Sequence, residues 1–270
     1  MRGSGPSASV VTPIRWPSEA IWEAVEPALP GFTVEVLPQI DSTNTELMRR
    51  ARVGQLDPAL LVAERQTAGR GRLGRQWHSE ATNASPLASL AFSLGVPLSP
   101  SDWSGLSLVA GVSVAQSLHP DLRLKWPNDI WFQDRKLAGI LIETASFDGI
   151  RYVVIGVGIN MLQRSAQGLS TPPAWLAELL PTIDAPHALL RIIPSLVRDV
   201  HAFEAQGFTP FHNRFAALDC LAGQAVTLSD GTAGTAQGVD VTGALLVHTA
   251  VGMKTITSSE VSVRPSQGLG

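Results

Sequence analysis

The sequence predicts an α+β fold, in which helices flank a mixed or antiparallel sheet and a small β-barrel follows at the C-terminus. Closely spaced strand patterns separated by the turns PND and QDR occupy residues 122–159, which is typical of neighbouring hairpins. An apolar segment at 103–118 predicts a buried helix. From about Leu221, short β-like runs are separated by SDG, DVTG and AVG, a spacing that favours a small barrel.

Hydrophobic periodicity, together with capping residues, glycines and prolines, predicts the elements in order. The segment SEAIWEAVEPAL is an amphipathic helix capped by Ser18, and FTVEVL and ALLVAE are strands. Thr43 and Glu46 have the spacing of a capping box, and Gly54 follows the end of that helix. The later predicted elements are a strand with one face of small residues at 87–94, strands at 122–126, 129–132, 136–144 and 152–159, a helical region at 174–219 that Pro194 should kink or split, and barrel strands QAVTL, ALLVH, KTITS and EVSVR.

Three segments are predicted from composition. Residues 1–17 are rich in Gly, Ser and Pro and are expected to be disordered, residues 18–220 form the main domain, and residues 221–270 form the barrel. With 270 residues and 44% apolar content, the main domain can bury a substantial core.

Net charge, cysteine content and hydropathy exclude several classes of protein. A net charge of −3 and a pI near 6.1 argue against bulk electrostatic binding of nucleic acid. Cys220 is the only cysteine, which excludes an internal disulfide and a cysteine-based zinc site. The sequence contains neither a signal-peptide core nor an apolar run of the ~20 residues that a membrane helix needs, so we expect a cytoplasmic protein without a membrane partner.

The most informative segment is the arginine loop, ERQTAGRGRLGRQW at residues 64–77. Forked guanidinium groups on a glycine-rich backbone suit a small anionic ligand. The same letters match the G-x-G-x-x-G dinucleotide pattern, but RQWHSEATNASP follows it without a helical period, so the dinucleotide interpretation is disfavoured. A solvated basic loop is the plain alternative.

A second constellation lies in KWPNDIWFQDRKLAGILIE. Lys125, Asn128, Asp129 and Lys136 fall at strand ends, where side chains can converge on one cleft. Downstream, GVGIN places two glycines inside a strand, which indicates close approach by a ligand or by another backbone segment. Many cations and amides with one turn carboxylate, and neither a nucleophilic triad nor a transition-metal cluster, suit phosphoryl or nucleotidyl transfer.

These motifs together resemble the biotin protein ligases. IDSTN, AGRGRLGRQW, KWPND, RKLAGILIE and GVGIN occur in the order found in that family, and the similarity runs from about residue 38 to the C-terminus. The resemblance implies a class II synthetase-like catalytic domain of the biotin/lipoyl ligase type and an SH3-like C-terminal barrel. It also implies biotin and ATP as substrates, Mg²⁺ with the nucleotide, and a biotin carboxyl carrier protein of acetyl-CoA carboxylase or a related carboxylase as acceptor. Family members often pair through the central sheet, so both a monomer and a homodimer remain open.

Site residues follow from the resemblance by motif. Those assigned to biotin are Ser42, Thr43, Asn44, Gln66, Gly69, Arg70, Gly71, Arg72, Lys136 and Gly139. Those assigned to the nucleotide are Arg72, Arg75, Trp77, Lys125, Asn128, Lys136 and Asn160. Those assigned to catalysis are Lys136, Arg70, Arg72, Asp129 and Lys125, and no residue is assigned to a resident metal.

Two departures and two alternatives accompany the resemblance. The segment HSEATNASPLAS is longer than is usual for the family, which leaves the walls of the biotin ring open there. Forty residues precede DSTN and contain no recognisable helix-turn-helix, so we expect a ligase that does not repress transcription. A lipoate–protein ligase of the same fold is the nearer alternative. A phosphate- or RNA-binding module would instead bind nucleic acid with steep salt dependence.

Overall fold

The computed structural model describes residues 14–77, 87–164, 171–257 and 264–265. Its main domain is built on a seven-stranded sheet in the order β1-β2-β5-β9-β8-β7-β6, with β3 and β4 forming a separate hairpin. The strands are β1 (Thr33–Leu37), β2 (Ala59–Ala63), β3 (Gly69–Arg70), β4 (Gln76–Trp77), β5 (Ser89–Pro97), β6 (Arg123–Lys125), β7 (Asp129–Phe132), β8 (Arg135–Phe147) and β9 (Ile150–Asn160). Only β1 and β2 pair in parallel, so the predicted mixed sheet of neighbouring hairpins is confirmed.

Five helices surround this sheet in the described part of the chain. They are α1 (Ser18–Val25), α2 (Thr43–Arg52), α3 (Leu106–Leu118), α4 (Ala185–Gln206) and α5 (His212–Ala216). α3 and α4 pack together over the large apolar core, and α1 packs against α4. α2 lies on a smaller core in which Leu47 and Met48 meet Leu61 and Tyr152. α2 also contacts β5, β8 and β9, so its first residues lie above the centre of the sheet.

The C-terminal domain is a five-stranded antiparallel sheet in the order β13-β12-β11-β10-β14. Its strands are β10 (Ala225–Thr227), β11 (Ala233–Val239), β12 (Leu245–Thr249), β13 (Gly252–Ile256) and β14 (Arg264–Pro265). The predicted small SH3-like barrel is confirmed. β11 was not among the predicted strands, because AGTAQGV offers little apolar alternation. Most of the predicted strand EVSVR lies outside the described residues.

Two local predictions differ from the structure. Pro194 was expected to kink or split its helical region, and the split does not occur, since α4 runs from Ala185 to Gln206 with the proline inside it. Trp16, within the segment expected to be disordered, packs against the core and donates an indole hydrogen bond of 3.0 Å to Glu64. Residues 1–13 of that segment lie outside the described part of the chain.

Candidate active site

Small residues form the floor of the candidate site at the centre of the sheet. Strand register aligns Ala91 of β5, Gly158 of β9, Gly139 of β8 and Asp129 of β7 in one row. The adjacent row contains Ser93, Gly156 and Leu141. The glycines and small residues predicted to leave space therefore lie side by side on one face.

Side chains from outside the sheet press directly on this floor. A Cβ atom at Gly156 would lie 2.0 Å from Asn44 Oδ1, and one at Gly158 would lie 2.4 Å from Trp77 Cε2. Both distances are far below van der Waals contact, so only glycine admits these neighbours. Close approach at the glycines of GVGIN is therefore present, but the approaching atoms belong to protein side chains and not to the ligand or backbone that was expected.

A continuous run of polar contacts, here called the polar chain, crosses the floor through Gln66, Thr43, Ser93, Asn44, Glu143 and Arg70. The Thr43 backbone N–H donates to Gln66 Oε1 at 2.8 Å, and the Thr43 and Ser93 hydroxyls are 2.7 Å apart. The Ser93 hydroxyl donates to Asn44 Oδ1 at 2.6 Å. Asn44 Nδ2 donates to Glu143 Oε2 at 3.0 Å, and Glu143 Oε1 lies 3.0 Å from Arg70. Thr43, Asn44, Gln66 and Ser93 are all buried.

The start of α2 presents Thr43 and Asn44 to this chain. Ser42 is the N-cap, and its hydroxyl accepts from the Thr45 backbone N–H at 3.3 Å. The predicted capping box of Thr43 and Glu46 is therefore wrong by one position. Burial explains the shift, since the Thr43 hydroxyl contacts Ser93 and Gln66 while Glu46 binds Arg50 at 3.0 Å. Gly54 follows the helix end with φ +83°, as predicted.

The arginine loop forms a hairpin over the floor. β3 pairs with β4, and a short 3₁₀ turn at Arg72–Gly74 closes the loop, with the Gly71 N–H donating to the Arg75 carbonyl at 2.8 Å. Leu73 and Gly74 adopt positive φ there. Gln76 and Trp77, the last residues described before the gap at 78–86, form a strand where a dinucleotide site requires the start of a helix, so the dinucleotide interpretation is wrong. We call residues 69–77 the arginine hairpin.

A charged cluster lies at the β7–β8 end of the floor. Lys136 Nζ is 2.6 Å from Asp129 Oδ1, and Arg72 donates to Asn128 Oδ1 at 3.2 Å. Asn128 Nδ2 in turn donates to the Ile140 carbonyl at 2.8 Å, which fixes the amide orientation. Burial lowers the pKa of Arg72, while the nearby Asp129 carboxylate opposes that shift. A partly desolvated guanidinium beside a lysine binds an incoming anion more strongly than a fully hydrated pair would.

Hydrogen bonds to its backbone fix Lys136 in place. Its N–H donates to the Pro172 carbonyl at 3.0 Å, and its carbonyl accepts from Ala174 N at 2.9 Å and from Asn160 Nδ2 at 3.2 Å. The preceding Arg135 forms a two-pronged pair with Glu178, with distances of 3.0 and 2.5 Å. The ammonium group therefore projects from a rigid base.

The structure brings together most of the residues singled out from sequence. Arg70, Arg72, Trp77, Asn128, Asp129, Lys136 and Gly139 surround the floor, with Ser42, Thr43, Asn44 and Gln66 at its other end and Gly69 and Gly71 in the hairpin. Three others lie further out. Arg75 is exposed on the hairpin, Lys125 lies 4.4 Å from the Trp131 ring centroid, and Asn160 is buried behind Lys136. Residues 78–86, which include most of the unusually long segment, lie outside the described part of the chain.

Sequence reasoning missed Ser93 and Glu143, although Glu143 ends the quoted motif RKLAGILIE. It also missed the supporting pair of Arg135 and Glu178. Desolvation raises the pKa of the half-buried Cys220 thiol to about 12, as suits an unreactive cysteine. Across the described ranges, no three His, Cys, Asp or Glu residues lie close enough to hold a metal ion. No helix in those ranges is long and apolar enough to cross a membrane.

Comparison with known proteins identifies the relatives of this arrangement. The model of the Biotin/lipoate A/B protein ligase family matches residues 36–160, and that of the Biotin protein ligase C terminal domain matches residues 222–264. The bifunctional ligase/repressor BirA of Escherichia coli is 36% identical over 88% of this chain and 76% of its own length. The biotin–[acetyl-CoA-carboxylase] ligase of Paracoccus denitrificans is 31% identical over 84% of this chain and 98% of its own length.

Solved structures agree with the sequence matches. Biotin protein ligase from Aquifex aeolicus, determined in complex with biotin and ATP, superimposes with a TM-score of 0.73 at 31% identity. The superposition covers 86% of this chain and 99% of that one.

Proposed function

Because the chain belongs to the biotin/lipoate A/B protein ligase family, we propose that it activates biotin with ATP and transfers it to a carrier-protein lysine. The comparisons support biotin–protein ligase activity. The observation that carries the detailed proposal is the position of the arginine hairpin, which joins the polar chain through Arg70 and the charged cluster through Arg72. The arginine hairpin thereby connects a polar, uncharged end of the site to a charged end.

The polar chain suits the uncharged ring end of biotin. Gln66 and Thr43 carry amide and hydroxyl groups that can bond a ureido group. Asn44 uses both ends of its amide on Ser93, Leu141 and Glu143, so we assign it to the support of this pocket. Ser42 supports it from below, as the N-cap of α2.

The charged cluster suits the first chemical step. An oxygen of the biotin carboxylate attacks the α-phosphorus of ATP, the bond to the bridging oxygen of pyrophosphate breaks, and biotinyl-5′-AMP forms. Lys136 is assigned to the carboxylate and to the charge that develops on the α-phosphate, and Arg72 to the same phosphate. Trp77 is assigned to the adenine, since its indole ring lies against Gly158 at the centre of the floor. Arg75 and Lys125 are assigned to the outer phosphates.

Magnesium fits this site as a companion of the nucleotide. Mg²⁺ usually retains water and binds through one or two carboxylates together with substrate phosphates. Asp129 is the carboxylate at this pole, and Asn128 adds an amide oxygen. When bound, the ion would neutralise phosphate charge.

The second step consumes the mixed anhydride. The lysine amine of the carrier attacks the acyl carbon, the carbon–oxygen bond to phosphate breaks, and AMP leaves. Asp129 is assigned to accept the proton that the carrier lysine must lose before it attacks. Its carboxylate already binds the Lys136 ammonium group at 2.6 Å, so it can also bind the ammonium group of the carrier. Asn160, which holds the carbonyl of Lys136, is assigned to the adenine or ribose side of the site.

The acceptor and the oligomeric state are proposed on the same basis. The expected acceptor is the biotin carboxyl carrier protein of acetyl-CoA carboxylase or of a related carboxylase. Along the described residues, β7 pairs with β8 only as far as Gly139, which leaves the edge of β8 from Leu141 to Phe147 without a partner strand. Such an edge favours strand pairing with the carrier or with a second copy of the chain. Sedimentation with and without biotin and ATP will distinguish a monomer from a homodimer.

The direct test is exchange of labelled pyrophosphate into ATP. We expect exchange that depends on biotin and Mg²⁺, and transfer of biotin when an apo carrier domain is added. Lipoate in place of biotin should support neither reaction. Exchange with lipoate but not with biotin would contradict the proposal and favour a lipoate ligase.

A further inference from the structure

Glu143 occupies a junction that the assignments above leave without a role. It lies on β8, opposite Val154 of β9, and its side chain is only 18% exposed. One carboxylate oxygen, Oε2, accepts from Asn44 Nδ2 at 3.0 Å. The other oxygen, Oε1, lies 3.0 Å from the Arg70 guanidinium. A single side chain thus connects the start of α2 to the arginine hairpin.

We propose that Glu143 is a positioning residue for biotin, which sets the arginine hairpin in register with the pocket formed by α2. This inference rests on the proposed function, since it concerns the same site. Glu143 need not touch the substrate, because it acts through Asn44 on one side and through Arg70 on the other. The link through Glu143 thereby fixes the position of the arginine hairpin relative to the start of α2.

The hydrogen-bonding partners require a carboxylate at this position. Asn44 Oδ1 accepts from Ser93, so the amide presents its donor, Nδ2, to residue 143. Arg70 can only donate. Residue 143 must therefore offer two acceptors in two directions. Glutamate does this, whereas glutamine has one acceptor oxygen and would point an N–H group at one of the two donors.

The effect of Glu143 should be largest at the biotin pole, because Arg72 and Trp77 of the same hairpin have contacts of their own with Asn128 and Gly158. Asn44 lies directly on Gly156, and Arg70 pairs with Gln76 at the base of the hairpin. Lys136 and Asp129 lie at the other end of the floor and have their own supports. Loss of the link should hence weaken the capture of biotin without slowing the chemistry once biotin is saturating.

The test compares wild type with Glu143→Gln in biotin-dependent pyrophosphate exchange. We expect the KM for biotin to rise by about tenfold, as loss of one charge-assisted hydrogen bond implies. The KM for ATP and kcat at saturating biotin should stay within about twofold of wild type. Glu35→Gln is the matched control, since Glu35 makes a two-pronged pair with Arg50 of the same helix, at 2.6 and 2.9 Å, away from the floor. Its KM for biotin should equal that of wild type.

Arg70→Gln supplies the second arm. If Glu143 acts through Arg70, the double variant Glu143→Gln with Arg70→Gln should be no worse than the more affected single variant. The inference would be overturned if the effects of the two single variants on the KM for biotin multiplied in the double variant. It would also be overturned if Glu143→Gln left the KM for biotin unaltered, or if it lowered kcat and both kcat/KM values equally together with the Tm. If Glu143→Gln fails to fold, Glu143→Asp replaces it and should show a smaller rise in the KM for biotin, because both acceptors remain on a shorter stem. Absence of exchange in wild type would instead overturn the proposed function itself.

Discussion

Single side chains in this site work because their neighbours have already oriented them. Lys136 projects from a backbone that is hydrogen-bonded at both its N–H and its carbonyl, and Asp129 contacts its ammonium group at 2.6 Å. Such preorganisation matters most in the transition state, where new charge appears without time for the protein to rearrange. Lys136 is therefore expected to contribute more to rate than to substrate affinity.

Lys136→Ala tests this expectation. We predict that the rate of pyrophosphate exchange falls by about 100-fold or more, while the KM for biotin changes by less than about threefold. Lys254→Ala is the control, because Lys254 pairs with Asp230 at 2.7 Å in the C-terminal domain. Equal losses in rate and in biotin affinity would show that Lys136 serves only binding.

The residues that sequence reasoning found are those with a local signature. The arginines of the hairpin and the lysines of KWPND and RKLAG stand out because charged residues cluster there among glycines and turn residues. Ser93 and Glu143 carry no such signature. Each is an ordinary member of a strand, and Glu143 meets Asn44 across 99 positions of sequence. Only the register of β5, β9 and β8 brings them together.

Among the elements, β9 contributes two glycines to the floor, and each of them accommodates one side chain from another element. Gly156 admits Asn44 from the α2 side, and Gly158 admits Trp77 from the hairpin side. The two glycines are two residues apart on one face, so each can be tested separately.

Gly156→Ala and Gly158→Ala serve as controls for one another. A methyl group at position 156 should displace Asn44 and raise the KM for biotin by about tenfold with a smaller effect on ATP. One at position 158 should displace Trp77 and raise the KM for ATP instead. Initial-rate kinetics with each substrate varied in turn will show whether the effects separate. Identical profiles for both variants would contradict the division.

Element boundaries were predicted best where periodicity was strong. The hairpins β6 to β9 and helix α3 follow from apolar patterns and turn residues. The glycine content of the arginine loop does not determine its shape, which strand pairing and the contacts of Arg70 and Arg72 define. Burial of Thr43 moved the N-cap to Ser42, and packing of α4 accommodated Pro194. Tertiary contacts therefore determined the shape of the arginine loop, the position of the N-cap and the continuity of α4.

At the scale of the molecule, the C-terminal domain contacts the catalytic domain beside the KWPND motif. The buried Trp126 donates its indole N–H to the Gly243 carbonyl at 3.0 Å. Nearby, His212 Nε2 lies 2.8 Å from the Val239 carbonyl, which suits a donor. The turn that presents Asn128 and Asp129 is thereby tied to the barrel.

Trp126→Phe removes this donor and keeps an aromatic ring. We predict a loss of about 2 kcal/mol in the free energy of unfolding, because a buried carbonyl loses its partner and a small cavity opens. Urea denaturation provides the measurement. Trp22→Phe, at a side chain that is 45% exposed, should stay within about 0.5 kcal/mol of wild type. Equal stability of the two variants would show that the domains are joined by other contacts.

We expect the arginine hairpin to retain biotinyl-5′-AMP until the acceptor arrives, because Arg72 is assigned to its phosphate and lies in the charged cluster. The dissociation half-life of biotinyl-5′-AMP from a preformed complex, compared between wild type, Arg72→Gly and Arg72→Ala, measures this retention. The two substitutions separate loss of the guanidinium group from added backbone freedom. We predict release at least about tenfold faster from both variants. A half-life equal to that of wild type in both would contradict the claim.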